Sequence, residues 1–251
     1  MELPSTLQPL LAAPARSAVL TDFDGTLAPI VEDPAAAVPL PGVADVMARL
    51  AGRFAVAGVV SGRPVSYLVD RLGPEVMLSG LYGLERWRDG QRVEVPGVER
   101  WRAVVAEACT LAESELGPVT EDKGLSLTLH FRRCPERRDQ IRTWADQEAG
   151  RRGLVVHEAR ASVELHPPLG IDKGTEVAAL TEGMQAACFF GDDLGDVAAF
   201  GALDRLAATG AHAVRVAVRS DEAPAELMAR ADVVVDGPEG ALGLLEALAS
   251  G

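Results

Sequence analysis

Ala18-Val19-Leu20-Thr21-Asp22-Phe23-Asp24-Gly25-Thr26-Leu27 is the stretch whose reading decides the fold. The apolar run Ala18–Leu20 reads as a short buried strand, and Gly25 supplies the turn that ends it. Side chains two apart on an extended strand share a side, so Asp22 and Asp24 project together at its carboxyl end. Like charges so close resist joint ionisation, and two carboxylates placed this way invite a divalent cation. Beside a hard cation such as Mg²⁺, Asp22 can attack a phosphoryl group and Asp24 can handle the leaving-group proton. Asp-x-Asp alone is also a common acidic turn. Gly-Thr-Leu after a buried strand favours the chemical reading.

Outward from this stretch, residues 1–15 form a lead-in with little pattern, and the proline-rich segment 28–39 reads as a loop. Val43, Val46, Met47 and Leu50 make one helical face. Phe54–Val60 is a second buried strand and ends at Ser61-Gly62-Arg63. Val65, Leu68, Val69 and Leu72 make the next helical stripe, with Pro64 suited to its first position. Strand, helix, strand, helix is the rhythm of an α/β fold with a doubly wound parallel sheet. Sites in such sheets lie at the carboxyl ends of strands, where Asp22 and Ser61 both fall. A hydroxyl followed by backbone N–H groups at a helix start can cradle an anion, although such a Ser can also be a plain helix cap.

The rhythm changes near Glu85. Residues 86–97 are charged and Gly-containing, as in a hairpin or connector, and Trp101 to Ala112 follow as an amphipathic helix. Leu125, Leu127, Leu129 and Phe131 alternate with Ser126, Thr128, His130 and Arg132, the pattern of a half-buried antiparallel strand. A polar helix from Pro135 to about Arg151 and strands over Leu154–Arg160 and Ser162–Leu165 complete an α+β insert. The expected division is a discontinuous core, 1–85 and 169–251, interrupted by a cap over 86–168.

From Asp172 the first rhythm resumes. Lys173 stands at a helix start, where a cation opposes the macrodipole; there it can hold the Asp22 carboxylate and a phosphate together, although taken alone it can equally be a solvated lysine. The strand Ala187–Phe190 runs into Gly191-Asp192-Asp193-Leu194-Gly195-Asp196, a second acidic cluster at the same sheet edge as Asp22. Acids without Cys or His suit an oxygen-ligand cation better than zinc. Further helix and strand units follow: Val197–Leu203, Ala213–Val218, a helix from Pro224, Asp232–Asp236 and a last helix.

The order of nucleophile turn, Ser, Lys and acidic loop resembles the haloacid dehalogenase superfamily of phosphatases. Gly80-Leu-Tyr-Gly83-Leu-Glu85, Glu121-Asp-Lys123, His130-Phe-Arg132 and Glu164-Leu-His-Pro167 narrow the resemblance to the trehalose-6-phosphate phosphatase family over nearly the whole chain. The resemblance implies a Rossmann-like core with an inserted cap. It also implies Mg²⁺-dependent hydrolysis of trehalose 6-phosphate, to trehalose and phosphate, through an aspartyl-phosphate. By it, Asp22 is the nucleophile, Asp24 the general acid/base and Lys173 a further catalytic group. Ser61, Gly62, Thr26 and Lys173 would bind phosphate, and Asp22, Asp24 (through its carbonyl), Asp192 and Asp196 the metal. Arg63, Glu121, Lys123, His130, Arg132 and Glu164 would bind the sugar. Gly195 and Val197 replace a Thr and an acid of the family pattern, and Tyr82 stands where the family often has His. These departures leave room for another sugar phosphate or pseudo-disaccharide phosphate. A rival of another class is a catalytically silent partner of a trehalose-phosphate synthase.

Composition agrees with such an enzyme. The 251 residues are 48% hydrophobic and 24% charged. A net charge of -13 argues against nucleic acid or an anionic membrane as partner, and makes local cations necessary at any phosphate site. Three isolated cysteines, no signal-like segment and no membrane-length apolar run lead us to expect a cytoplasmic protein. Its expected partner is a small-molecule sugar phosphate, with a trehalose-phosphate synthase as a functional pairing.

Overall fold

Val19 and Leu20 have no solvent exposure in the computed structural model, which describes every residue except Met1, Glu32, Pro34, Ala35, Arg160 and Glu222. Three of those fall in the proline-rich segment 28–39 and one ends the expected strand Leu154–Arg160, so those parts of the reading lie outside the described residues. The lead-in is structured. A short helix Gln8–Ala12 (α1) lies between two 3₁₀ turns, and Leu7 and Leu10 are fully buried.

Strand Ser17–Thr21 (β1) is buried at every position, as a strand covered on both faces must be. Helix Val43–Ala51 (α2) turns Val43, Val46, Met47 and Leu50 inward and is followed by Val56–Val60 (β2). Helix Val65–Leu72 (α3) comes next, and then Met77–Gly80 (β3), a strand too short for its periodicity to be read in the sequence. Glu85–Arg88 (β4) and Gln91–Glu94 (β5) form the expected hairpin, but they continue the core sheet, with β4 antiparallel to β3.

Helix Arg102–Leu116 (α4) opens the next section, followed by Thr120–Asp122 (β6), Leu127–His130 (β7), Arg138–Arg152 (α5), Val155–Ala159 (β8) and Ser162–His166 (β9). The return brings Lys173–Leu180 (α6), Ala186–Gly191 (β10), Gly195–Ala208 (α7), His212–Arg219 (β11), Ala225–Arg230 (α8), Val233–Asp236 (β12) and Gly237–Ser250 (α9). None of the described helices is long and apolar enough to cross a membrane.

Two compact units result. One holds the residues up to Val93 together with Ile171–Gly251, and the other is Glu94–Gly170. The first break lies at 93/94, not 85/86, because the β4–β5 hairpin hydrogen-bonds into the core sheet. The first unit carries a sheet of order β12-β11-β10-β1-β2-β3-β4-β5, parallel from β12 through β3. Two apolar layers cover its faces, one centred on Phe23, Met47 and Phe190 and the other on Phe189, Phe200 and Leu203. The α/β architecture expected from the alternating strands and helices is the one found.

The second unit is a four-stranded antiparallel sheet of order β6-β7-β9-β8. Leu127, Leu129, Val163 and Leu165 on one face pack with Val105 and Ala112 of α4 and Ile141 and Ala145 of α5. The period of two sends Ser126, Thr128, His130, Ser162, Glu164 and His166 to the other side.

Candidate functional site

The first group of side chains gathers at the carboxyl ends of β1, β2 and β10. Backbone bonds shape the Asp22–Leu27 turn: Asp22 N–H donates to Phe190 O at 2.8 Å, and Leu27 and Ala28 N–H donate to Phe23 O at 2.8 and 3.0 Å. Gly25 has a φ of +80°, and a Cβ there would overlap the Asp192 carboxylate. Glycine at that position therefore lets the acidic loop lie directly against the turn.

Lys173 is the hub of this cluster. Its capping box, Asp172 with Thr175, fixes the start of α6. At Gly174 a Cβ would strike the Ala198 backbone, so α6 approaches α7 closely and carries Lys173 to the acidic loop. The Lys173 Nζ lies 2.9 Å from Asp22 Oδ2, 2.7 Å from Asp196 Oδ1 and 3.8 Å from Asp193 Oδ1. Burial alone would depress this amine; the carboxylates of Asp193, Asp196 and Asp22 outweigh it and hold the ammonium charged, well above its usual range.

One ammonium does not balance the acids around it. Burial pushes the Asp22 carboxyl well above its usual range; Lys173 offsets this in part, while Asp196, Asp193 and Asp192 add to the rise. Carboxylate oxygens of Asp22, Asp193 and Asp196 lie within 4.8 Å of one another. This donor set, with the Asp192 carboxylate packed against Gly25 beside it, is all oxygen and carries surplus negative charge, which fits a hard divalent cation.

The expected ligands and phosphate contacts divide within this cluster. Asp196 is fully buried, and its Oδ2 accepts the N–H groups of Asp192 and Asp193 at 2.8 and 3.0 Å while Oδ1 faces Lys173. Such a carboxylate is a strut for the loop. Burial, opposed by Lys173, raises it to about 6. A Cβ on Gly191 would strike the Asp196 side chain, so that glycine makes room for the strut. Thr26 is buried and donates to Asp192 Oδ1 at 3.2 Å. Ser61 is buried beside the turn, and its Oγ accepts the Arg63 N–H at 3.2 Å. Arg63 turns to Asp24 and donates from Nε and Nη2 to the two carboxylate oxygens at 2.7 and 2.8 Å.

The helix start after Ser61 differs from expectation. Pro64 is the N-cap of α3, one place before the first helical residue, and the Val65 N–H is taken by the buried Glu85 carboxylate at 2.5 Å. Leu81 and Tyr82 have φ of 50° and 60°, an unusual conformation for non-glycine residues. It lets Leu81 and Tyr82 N–H donate to Arg63 O and Ser61 O at 3.0 and 2.9 Å. Gly62 faces the Tyr82 hydroxyl oxygen, which a Cβ there would meet at 2.6 Å. This brace under Ser61–Arg63 has no signal in the sequence beyond the Gly80 and Gly83 that flank it.

The second unit holds the other group. Pairing puts Glu121 opposite Thr128, Thr128 opposite Glu164 and Glu164 opposite His157, one row across four strands. Counted through β7, Lys123 has apolar parity, but Gly124 turns with φ +81° and resets it. Lys123 Nζ thereby donates to Glu164 Oε2 at 3.1 Å, and Ser126 Oγ to Glu164 Oε1 at 2.6 Å. Burial would raise Glu164, but Lys123, His166 and the Ser126 hydroxyl more than offset it and bring it down to about 2. His130 Nε2 lies 2.7 Å from Glu121 Oε2, and Arg132 sits in the turn after β7. Ser126, Thr128 and His157 join this group without having been singled out in the sequence, and His166, part of the motif Glu164–Pro167, joins it without having been given a role. Strand parity was the available signal for the first two. The Thr128 hydroxyl is buried and finds no hydrogen-bond partner among the described residues.

The family model described as trehalose-phosphatase matches residues 20–233, which include both groups. The chain belongs to the trehalose-phosphatase family. Among curated relatives of this trehalose-phosphatase family member, the trehalose-phosphate phosphatase of Mycobacterium leprae is 35% identical over 185 residues, 69% of this chain and 43% of that protein. That of Mycobacterium ulcerans is 32% identical over 240 residues, 88% of this chain and 60% of that one. The chain thus spans about half the length of these relatives. Its fold is like that of the Candida albicans trehalose-6-phosphate phosphatase C-terminal domain, with a TM-score of 0.77 at 24% identity over 99% of each chain.

Proposed function

We propose that the protein hydrolyses trehalose 6-phosphate to trehalose and phosphate through an aspartyl-phosphate on Asp22. The observation that carries the reading is the Lys173 ammonium between Asp22 and the Asp196 strut. A buried carboxylate beside a fixed cation, at the end of a central strand, supports the reading of Asp22 as a nucleophile for a phosphate ester.

An Asp22 oxygen attacks phosphorus and the bond from phosphorus to the sugar oxygen breaks. Asp24 gives that oxygen its proton, then takes a proton from the water that attacks the aspartyl-phosphate, releasing phosphate and restoring Asp22. Ser61, Gly62 and Lys173 hold the phosphoryl oxygens. Thr26 acts through Asp192, to which it is hydrogen-bonded. Mg²⁺ would be held by Asp22, Asp192 and the Asp24 carbonyl, with Asp196 as their support, and when bound it would neutralise phosphoryl charge. The unit Glu94–Gly170 serves as the sugar-recognising cap. Glu121, Lys123 and Glu164 hold sugar hydroxyls, with His130 and Arg132 beside them, and the unpartnered Thr128 hydroxyl supports a polar ligand on that row. A trehalose-phosphate synthase makes such a substrate and is the functional partner this reading implies. The free thiols of Cys109, Cys134 and Cys188 support a cytoplasmic setting.

The deciding experiment is phosphate release from a panel of sugar phosphates, with and without Mg²⁺. Trehalose 6-phosphate should exceed glucose 6-phosphate clearly. Equal rates would leave a phosphatase core that does not read a disaccharide. The presence of Tyr82, Gly195 and Val197 favours a second reading, the same chemistry on another phosphorylated disaccharide, which the same panel would reveal.

Chelator should abolish activity and Mg²⁺ restore it. Asp192→Ala should raise the Mg²⁺ concentration needed by about tenfold to a hundredfold, since a hard cation loses a carboxylate. An unchanged metal titration would remove Asp192 from the site.

Lys123→Ala should lower kcat/KM for trehalose 6-phosphate by roughly tenfold to a thousandfold, the range for losing one to three charge-assisted hydrogen bonds. p-Nitrophenyl phosphate has no sugar to hold, so its hydrolysis should change only a few-fold, roughly the noise of a remote substitution. Equal damage to both substrates would refute sugar recognition by Lys123.

A further inference from the structure

The resemblance places Arg63 among the sugar contacts, but in the fold its guanidinium forks onto Asp24, both oxygens at 2.7 and 2.8 Å. The Arg63 side chain is 10% exposed and that of Asp24 30% exposed, so the arginine is the buried member of the pair. A carboxylate at the end of a turn is free to rotate about two bonds, whereas a bidentate fork fixes the plane of both its oxygens.

Arg63 is in turn fixed by α3. Its guanidinium lies over the Tyr67 ring at 4.5 Å, and Arg71, one helical turn on, lies over the same ring at 3.4 Å. The Tyr67 hydroxyl donates to Ala37 O at 2.6 Å, Arg71 Nε donates to the same carbonyl at 3.1 Å, and Arg71 Nη1 donates to Tyr67 O at 3.2 Å. The ring also meets Phe23 edge-on, with centroids 5.9 Å apart. Phe23 is the residue between the two aspartates, so the contacts close a loop from Asp24 through Arg63 and Tyr67 back to the nucleophile turn.

We propose that Arg63, seated on Tyr67, is a positioning residue that fixes the orientation of the Asp24 carboxylate for proton transfer. This rests on the reading of Asp24 as the general acid/base. It assigns Arg63 to Asp24 and not to the sugar. A misaligned proton donor slows a leaving group that needs the proton and leaves substrate binding alone.

The test compares trehalose 6-phosphate with p-nitrophenyl phosphate, in Mg²⁺, for the parent, Arg63→Lys, Tyr67→Leu, Asp24→Asn and the two double variants. Arg63→Lys keeps the charge and loses the fork. It should lower kcat for the sugar ester by about tenfold to a hundredfold with KM within about threefold. For the aryl ester, whose phenolate leaves without a proton, kcat/KM should stay within about fivefold. Tyr67→Leu, at a half-buried helix position, should act in the same direction by about threefold to tenfold. In the Asp24→Asn background either substitution should change kcat/KM by less than about twofold, because residues acting as one unit are not additive. Full additivity with Asp24→Asn, a raised KM at unchanged kcat, or equal losses on both esters would each overturn the assignment. A parent that hydrolyses glucose 6-phosphate but not trehalose 6-phosphate would overturn only the substrate reading, and the same cycle is then measured on that alkyl ester. A parent inert toward every ester would overturn both.

Discussion

Asp22→Asn is expected to abolish phosphate release from both sugar and aryl esters, with kcat falling by about 10⁴-fold or more, as for loss of any covalent nucleophile. The amide keeps the shape of the carboxylate but cannot attack phosphorus. The structure adds a second expectation. Asp22 is a buried acid crowded by Asp192, Asp193 and Asp196, with one ammonium beside it. Removing its charge relieves like-charge repulsion, so the variant should be at least as resistant to heat as the parent. Phosphate release and thermal melting on the same preparation therefore separate a chemical defect from a folding defect. Near-normal turnover by Asp22→Asn would dismiss the covalent mechanism. An inactive variant that also melts well below the parent would leave the nucleophile unproven.

Lys173→Ala should injure both substrates, lowering kcat/KM by about 10² to 10⁴-fold, because Lys173 is proposed to act on the phosphoryl group they share. Its three carboxylate partners are buried or half-buried, and Asp22 and Asp196 already sit above the usual carboxylate range. Breaking a buried ion pair by removing one partner typically costs about 3–5 kcal/mol. Here the acids can take up protons in place of remaining charged and unpaired, so the loss should be smaller at pH 5 than at pH 8. Melting temperatures at the two pH values check this. A loss of stability that is the same at both would mean that Lys173 does not govern the charge of the cluster. Loss confined to the sugar ester would place Lys173 in sugar recognition, where Lys123 is proposed to act.

The contrast between these two lysines shows how far a sequence can be read. Lys173 was legible in company: it stands at a helix start just past the second change of rhythm, and although alone it could equally be a solvated lysine, its order with Asp22, Ser61 and the acidic loop pointed to the strand-end edge. The parallel α/β core was equally legible, because β1, β2 and β10 are continuous apolar runs of the kind that only a sheet covered on both faces requires. Lys123 was harder. Its parity along β7 pointed to the apolar side, and only the left-handed turn at Gly124 brings it to Glu164. Strand β3 left too short a pattern to read, and the β4–β5 hairpin gave no sign that it would join the core sheet.

What the sequence determined by itself was the order of elements and the residue types at each strand end, since propensity and periodicity are local properties of the chain. The tertiary structure decided which partner each group meets. Thr26 goes to Asp192, Asp196 becomes a strut beneath its own loop, and Glu85 takes the amide at the start of α3. Arg63 folds back 39 residues to Asp24. Such pairings depend on which strands lie side by side and on where Gly25, Gly174 and Gly191 let two backbones approach within the reach of one side chain. Neither is fixed until the sheet has closed.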